Sequence, residues 1–479
     1  MKLLELAIGP GVAQPSAPRG ATTREAQALA VPTDARRALA RGWLWLGMLA
    51  LIGSGLFSVL LVLSRTPGVN RLFGNADFFR VALVVHVDLS VLVWFFALAG
   101  VLWSLHCNRR GLRWARAALG LCGAGALTMA LAPFIGSGQA LMANYIPVLD
   151  GAPFIAGLLL FAAGVAVLVL RSLFAAPAVG LPLSDSGALR FGLNASVVAT
   201  AVALLAFGWS YALLPRTLAA RAYYEILFWG GGHALQFTWT LLMLVAWLWL
   251  ARACGARLPL SPRLSVALLA LALASVFVTP YAYLAHDIAS VEHRHLHTWA
   301  MRLGGGLAIA PIGLGVALGL AGVRGWMPIQ RPLRAALIAS IALFLSGGLI
   351  GVFIAGSNVR IPAHYHGCIV GVTLALMGLV YHLLPQLGYR APQGRLPTWQ
   401  PLLYGAGQLM HILGLVWSGG YGVQRKVAGT EQVLRSTAEI TGMGLMGLGG
   451  LVAIVGGLVF VLVVLGAMRP RARSLEPAA

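Results

Sequence analysis

Between Tyr283 and Trp299 the chain reads YLAHDIASVEHRHLHTW, which gathers His286, Asp287, Glu292, His293, His295 and His297 between two apolar runs. Imidazole nitrogens and carboxylate oxygens bind first-row transition metals, so the stretch raises the question of a metal and its ligands. A second segment, IPAHYHGCIVGVTLALMGLVYHLLPQLG, holds His364 and His366 two residues apart. Each step along an α-helix turns by about 100°, so these two rings point in nearly opposite directions and one helix can grip a different group on each side. His86 and His233 stand in two further apolar runs. Ionisable side chains within a membrane segment are costly and are functional candidates by default. The bland alternative is a set of interfacial histidines bonded to water or backbone carbonyls.

The elements that must carry these residues follow from composition. Of the 479 residues 59% are apolar and only 10% charged, with a mean hydropathy of +0.85. A soluble protein cannot hide that much apolar surface, so an all-α polytopic membrane protein is expected. A span needs about 20 apolar residues. Such runs predict twelve transmembrane helices, over 41–64, 79–104, 113–136, 152–173, 191–214, 223–251, 264–287, 299–321, 333–356, 363–385, 401–419 and 440–468. Residues 1–38 then form a disordered cytoplasmic tail, 39–469 the membrane domain and 470–479 a cytoplasmic tail.

The net charge of +21 is scattered through short loops, which argues for topology signals and against nucleic-acid binding. Runs such as Arg109, Arg110, Arg113 and Arg469, Arg471, Arg473 favour both termini in the cytoplasm. The expected location is the inner (cytoplasmic) membrane. In that orientation His86, His233, His286, Asp287, His364 and His366 share one depth in the outer half. Cys107, Cys122, Cys254 and Cys368 form no CxxC or CxxCH pattern, so disulfide scaffolding, thiolate zinc and covalently attached haem have no support.

The combination of twelve helices, an HxH on the tenth, and single histidines on the second and sixth resembles the haem–copper oxidoreductase superfamily, catalytic subunit I. The likeness covers the chain after residue 40. It implies that His86 and His366 are axial ligands of a low-spin haem, and that His364 is the proximal ligand of a high-spin haem, both of b type. LFWGGGHALQF resembles the sixth-helix segment, making His233 a ligand of the second metal. GGYGVQRKVAG resembles the loop whose basic pair holds haem propionates, pointing to Arg425 and Lys426; as solvated loop charges they would carry no such role.

In that family a His-His pair ends the seventh helix. Setting Trp299, Leu303 and Pro311 against their counterparts puts the pair at His286-Asp287, with aspartate replacing the second histidine. His293, His295 and His297 are then expected in an outer loop, serving propionates, water or proton relay, with a ligand role for one of them left open. A site of His233, His286 and Asp287 favours iron over copper, because a carboxylate is a harder ligand than imidazole. The resemblance therefore implies a nitric oxide reductase, forming nitrous oxide at a haem iron facing a non-haem metal. Phe237 stands where oxygen-reducing relatives commonly carry a tyrosine, four residues after His233. Tyr281 and Tyr283 on the seventh helix keep oxygen reduction open; a non-catalytic membrane cytochrome is a third alternative.

The eighth span has no Lys, Ser or Thr after Leu303, and Leu235 stands where many oxidases have glutamate. Chemical protons are thus expected from the outer side without pumping, with Glu225, Asp287, Glu292 and the loop histidines as relays. An outer-face partner, a c-type cytochrome or a copper-centre domain, is implied for electron supply. His382 and His106 are expected as inner-interface residues, and His411 has no assignment beyond a buried hydrogen-bonded side chain.

Overall fold

The computed structural model of the chain describes residues 29–469, apart from 73–75, 136–137, 216, 326 and 355. Residues 1–28 and 470–479, including Arg471 and Arg473, lie outside the described residues, and with them most of both expected tails. The bundle comprises α1 (Ala35–Arg65), α2 (Phe79–His106), α3 (Leu112–Ile135), α4 (Ala152–Phe174), α5 (Asp185–Leu213) and α6 (Trp229–Ala253). It continues with α7 (Pro262–Ala285), α8 (Val291–Ala321), α9 (Pro328–Val352), α10 (Arg360–Leu383), α11 (Leu396–Gly420) and α12 (Thr437–Met468). Eleven of these are long and apolar enough to cross a membrane. α11 is diluted by Gln400, Gln408, His411 and Ser418, yet it packs along α12 like the others.

Local chemistry starts and stops these helices. Asp34 caps α1 by accepting from the Arg36 amide at 2.9 Å. The same carboxylate takes the Arg36 guanidinium, which holds its pKa down at about 2. α1 therefore begins several residues before the apolar run does. Lipid offers no hydrophobic drive for helices to associate, so close packing of small residues must supply it. At the α3–α4 crossing a Cβ on Gly125 would lie 2.5 Å from the Phe161 amide nitrogen; only glycine allows that approach.

The spans most enclosed by protein are α6, α10 and α2, the three on which His233, His364, His366 and His86 were expected. Two helices, α2 and α8, are irregular next to their histidines. α2 passes through a π-helical turn at Asp88–Val93, just after His86. α8 does so at Met301–Gly305, just after His297. Such turns concentrate at functional sites.

At one end of the bundle the connections interlock. Between α3 and α4 lies a small hairpin of β1 (Gln139–Leu141) and β2 (Val148–Asp150), pairing Gln139 with Asp150. The short helix Ala220–Leu227 precedes α6. The α11–α12 connection reaches the α9–α10 connection and the hairpin: Gln424 bridges to Asn358, and Lys426 donates to the Met142 carbonyl.

Candidate metal centre and haem pockets

His233 opens α6 behind three successive glycines, and each glycine receives an aromatic ring. A Cβ on Gly230 would strike Tyr283, on Gly231 Phe207 and on Gly232 Tyr145, all within 2.5 Å. His233 is thus walled in by rings. Its Nδ1 lies 2.8 Å from the Trp229 carbonyl, one helical turn back. Its Nε2 faces the Tyr145 hydroxyl at 2.9 Å.

The other imidazoles at this position are His293 and His297. They are not in a loop. Ser290 caps a new helical segment by accepting from the His293 amide at 3.1 Å, and the helix runs on from Val291. Residues four apart share a helix face, so His293 and His297 turn inward together, each 1% exposed. Ring centroids lie 4.7 Å apart between His293 and His297 and 5.6 Å apart between His297 and His233. Each also commits its Nδ1: His293 to the Ala282 carbonyl at 3.3 Å, His297 to the His293 carbonyl at 2.8 Å. The Nε2 atoms of both are buried with no partner among the described residues. Metal-binding histidines are oriented in this way, one nitrogen tied to a carbonyl and the other left for the metal.

The expected set of His233, His286 and Asp287 does not form. His286 sits at the C-terminus of α7 in extended backbone (φ −138°), with its ring 6.5 Å from Tyr281. Asp287 is exposed and turns back to accept from the Ala289 amide at 2.8 Å. The physical reason is that α7 ends at Ala285, so the two residues fall in the turn that starts α8. Glu292 and His295 are likewise exposed. Among the described residues no three His, Cys, Asp or Glu side chains are placed to hold a metal ion as they stand. His233, His293 and His297 nevertheless share one pocket as three imidazoles, each with Nδ1 on a backbone carbonyl. Three imidazoles suit copper, zinc or iron.

His364 and His366, expected to be haem ligands, lie on separate faces of α10. His364 directs Nδ1 to the Gly347 carbonyl of α9 at 2.7 Å. It can do so because Gly351 leaves room; a Cβ there would lie 2.6 Å from that nitrogen. His366 turns the other way, its ring 5.0 Å from His411 and within electrostatic range of His86. His86 holds its Nδ1 3.0 Å from the Ser54 carbonyl. His411 ties its Nδ1 to Met446 O at 2.9 Å, which gives a residue without assignment a place beside the His86–His366 pocket. His86, His366 and His364 fit the two porphyrin irons that the resemblance implies. Buried guanidinium nitrogens with no partner among the described residues, Nη2 of Arg65 and Nε of Arg360, suit the carboxylate edges of such groups.

Arg425 lies within electrostatic range of Tyr365, near that pocket. Lys426 instead clamps the hairpin through the Met142 carbonyl. Burial, with Arg425 beside it, depresses the Lys426 pKa to about 8. Sequence reasoning passed over Tyr145, Arg65 and Asp88. Asp88 is 1% exposed, and neither carboxyl oxygen has a partner among the described residues. A loop tyrosine carries no spacing signal, but an aspartate two residues after His86 inside an apolar run was visible. His382, at the far end of α10, bonds to Gln386 and packs on Trp249; His106 bonds to Asn194 Oδ1 at 2.8 Å. Both lie at the opposite end from the site, as expected.

Residues 38–459 match the family described as Cytochrome C and Quinol oxidase polypeptide I. The chain belongs to this family, that of haem–copper oxidase subunit I. An uncharacterised protein of Rickettsia prowazekii (strain Madrid E) is 31% identical, over 88% of this chain and 94% of its own length. Another, from Aquifex aeolicus (strain VF5), is 30% identical over 75% of this chain and 88% of its own. Among solved structures, the cryo-EM structure of a heme-copper terminal oxidase dimer aligns over 92% of this chain and 86% of that one, with a TM-score of 0.69 at 16% identity. That last likeness speaks for the fold. Family membership makes the chain an oxidoreductase subunit of a multi-pass membrane protein, in a family that binds haems and a second metal.

Proposed function

We propose that this chain reduces molecular oxygen at a high-spin haem held by His364, opposite a metal held by His233, His293 and His297. One observation carries the reading: the histidines that gather at the second-metal position are three imidazoles, and the carboxylate that would favour iron lies outside them. When bound, the two metals seat the gas and pass it electrons. The rest is work for the chain. The Trp229, Ala282 and His293 carbonyls hold the three imidazoles in the tautomer that carries its proton on Nδ1 and its lone pair on Nε2. The rings of Tyr145, Trp229 and Tyr283 close the pocket against water. Tyr283 lays its edge on His293 at 4.7 Å, but its hydroxyl is engaged by Ser210 at 2.6 Å.

A second reading, nitric oxide reduction with a non-haem iron, keeps one specific support. Phe237, on α6 one turn beyond His233, supplies no phenol. In either case electrons come from a partner at the site end, a c-type cytochrome or copper-centre domain, since this chain has no motif for either. Turnover of the purified complex with each gas decides between them. Oxygen consumption far exceeding nitrous oxide formation is expected, and the reverse ratio would replace oxygen with nitric oxide.

A further inference from the structure

At the end of the bundle opposite the candidate metal centre, an open pocket of about 730 Å³ lies between the α2–α3 and α4–α5 connections. The start of α1, the end of α2, the start of α3 and the end of α4 meet there. One wall is cationic. Arg36, Asn108, Arg109 and Arg110 line it, and Arg171 stands behind it, 4% exposed and within electrostatic range of Arg36. Two of these guanidiniums hold the wall in place. Arg36 donates to the Cys107 carbonyl at 2.8 Å, and Arg171 donates to those of Asn108 and Arg110 at 2.7 and 3.2 Å. Nη1 of Arg171 is buried with no partner among the described residues. The loop then turns through Gly111 at φ +65°, where a Cβ would lie 3.2 Å from the Arg171 side chain. Asp34 faces Arg36 at 2.9 Å and Arg109 at 3.7 Å, so one carboxylate stands against four guanidiniums.

The facing wall, residues 176–178, is apolar. It belongs to AAPAVGLPL, residues 175–183, which joins α4 to α5 without one charged or hydrogen-bonding side chain. Such connections are ordinarily polar, yet this one leaves Leu181 91% exposed. Asn194 fixes it by donating to the Pro177 carbonyl at 3.1 Å. Phe174 and Trp114, on the two sides of the pocket, are exposed as well. Grouped exposed apolar residues mark membrane contact, and tryptophan favours the interface. Positive loops also serve topology, but topology requires neither a buried guanidinium nor an apolar wall across from it. A free phosphate would use only the arginines, whereas an amphiphile uses both walls. We propose that this pocket binds the headgroup of an anionic phospholipid, its phosphodiester against Arg109 and Arg110 and its acyl chains beside Phe174 and the 175–183 connection. Guanidinium forks meet phosphate oxygens with paired N–H donors, and basic pockets between spans select charged headgroups.

The test uses the full-length chain with its haems, purified and delipidated in neutral detergent. Native mass spectrometry titrates it with phosphatidylglycerol or phosphatidylcholine and reads the dissociation constant of the first lipid bound. Wild type is expected to prefer phosphatidylglycerol. Arg109→Gln combined with Arg110→Gln is expected to weaken that lipid roughly five-fold per charge, about 25-fold for the pair. Phosphatidylcholine binding and the haem spectrum should not change. Arg257→Gln combined with Arg263→Gln removes the same charge from two exposed positions at the same end of the bundle, and should leave phosphatidylglycerol binding as in wild type. Equal weakening by the two pairs overturns the proposal, because total charge alone then explains it. A wild type without preference for the anionic lipid also overturns it. So does displacement by glycerol phosphate at the affinity of the whole lipid, which would make the occupant a soluble phosphate ester.

Discussion

At the scale of residues, the site turns on which histidines are ligands. His293 and His297 are buried with orphaned Nε2 atoms, whereas His286 and Asp287 occupy a turn. Losing one of three ligands should cost far more than the ten- to hundred-fold typical of a lost supporting contact. His293→Ala and His297→Ala are therefore each expected to abolish occupancy by the second metal, measured by elemental analysis against haem iron. His286→Ala and Asp287→Ala should leave occupancy at the wild-type level; loss in Asp287→Ala would restore the carboxylate site. The signal that decides this was present in the sequence. Ser290 is a helix N-cap residue, and His293 and His297 are spaced four apart, which a helix places on one face. The family pattern of a pair ending the seventh helix pointed elsewhere, because it located the ligands by order along the chain. In the site proposed here the ligands come instead from the first turns of α8.

At the scale of elements, the spans were legible because each apolar run matches the length that lipid imposes. Their ends were not, since caps such as Asp34 and Ser290 extend helices into polar sequence. Nor was the hairpin that brings Tyr145 to His233; it depends on contacts with Glu225 and Lys426 from connections far apart in the chain. The α9–α10 pair illustrates what close packing achieves. Gly347 supplies a carbonyl to His364 and Gly351 makes space for its ring. Gly351→Ala would drive a methyl to within 2.6 Å of His364 Nδ1. The expected outcome is loss of the high-spin haem signal, with the low-spin spectrum from the opposite face of α10 retained. Equal loss of both would mean that α10 as a whole has moved.

At the scale of the whole molecule, every candidate ligand lies toward one end of the bundle, and what lies between the site and the other end determines the route of protons. α8 beyond its π-helical turn is apolar from Gly306 to Ala321. On the α5–α6 side a short string of hydroxyls runs from Thr238 to Thr200 at 3.1 Å. Below it Ser196 meets the Trp103 indole at 3.0 Å, a group that donates but cannot accept. Along this route the described side chains form no continuous wire. In vesicles containing the purified complex, turnover is expected to consume protons from the side bearing the hairpin and to export none. Proton uptake from the opposite compartment would show that a water-filled path bypasses Trp103. The two π-helical turns bear on how such a centre can change. Each inserts about one residue beyond the α-helical count, shifting by about 100° the phase relating the ligand-bearing stub to the rest of its helix. Gain or loss of a single codon at Asp88–Val93 or Met301–Gly305 could therefore re-aim His86, or His293 and His297, while the longer remainder of the span stays seated against its neighbours.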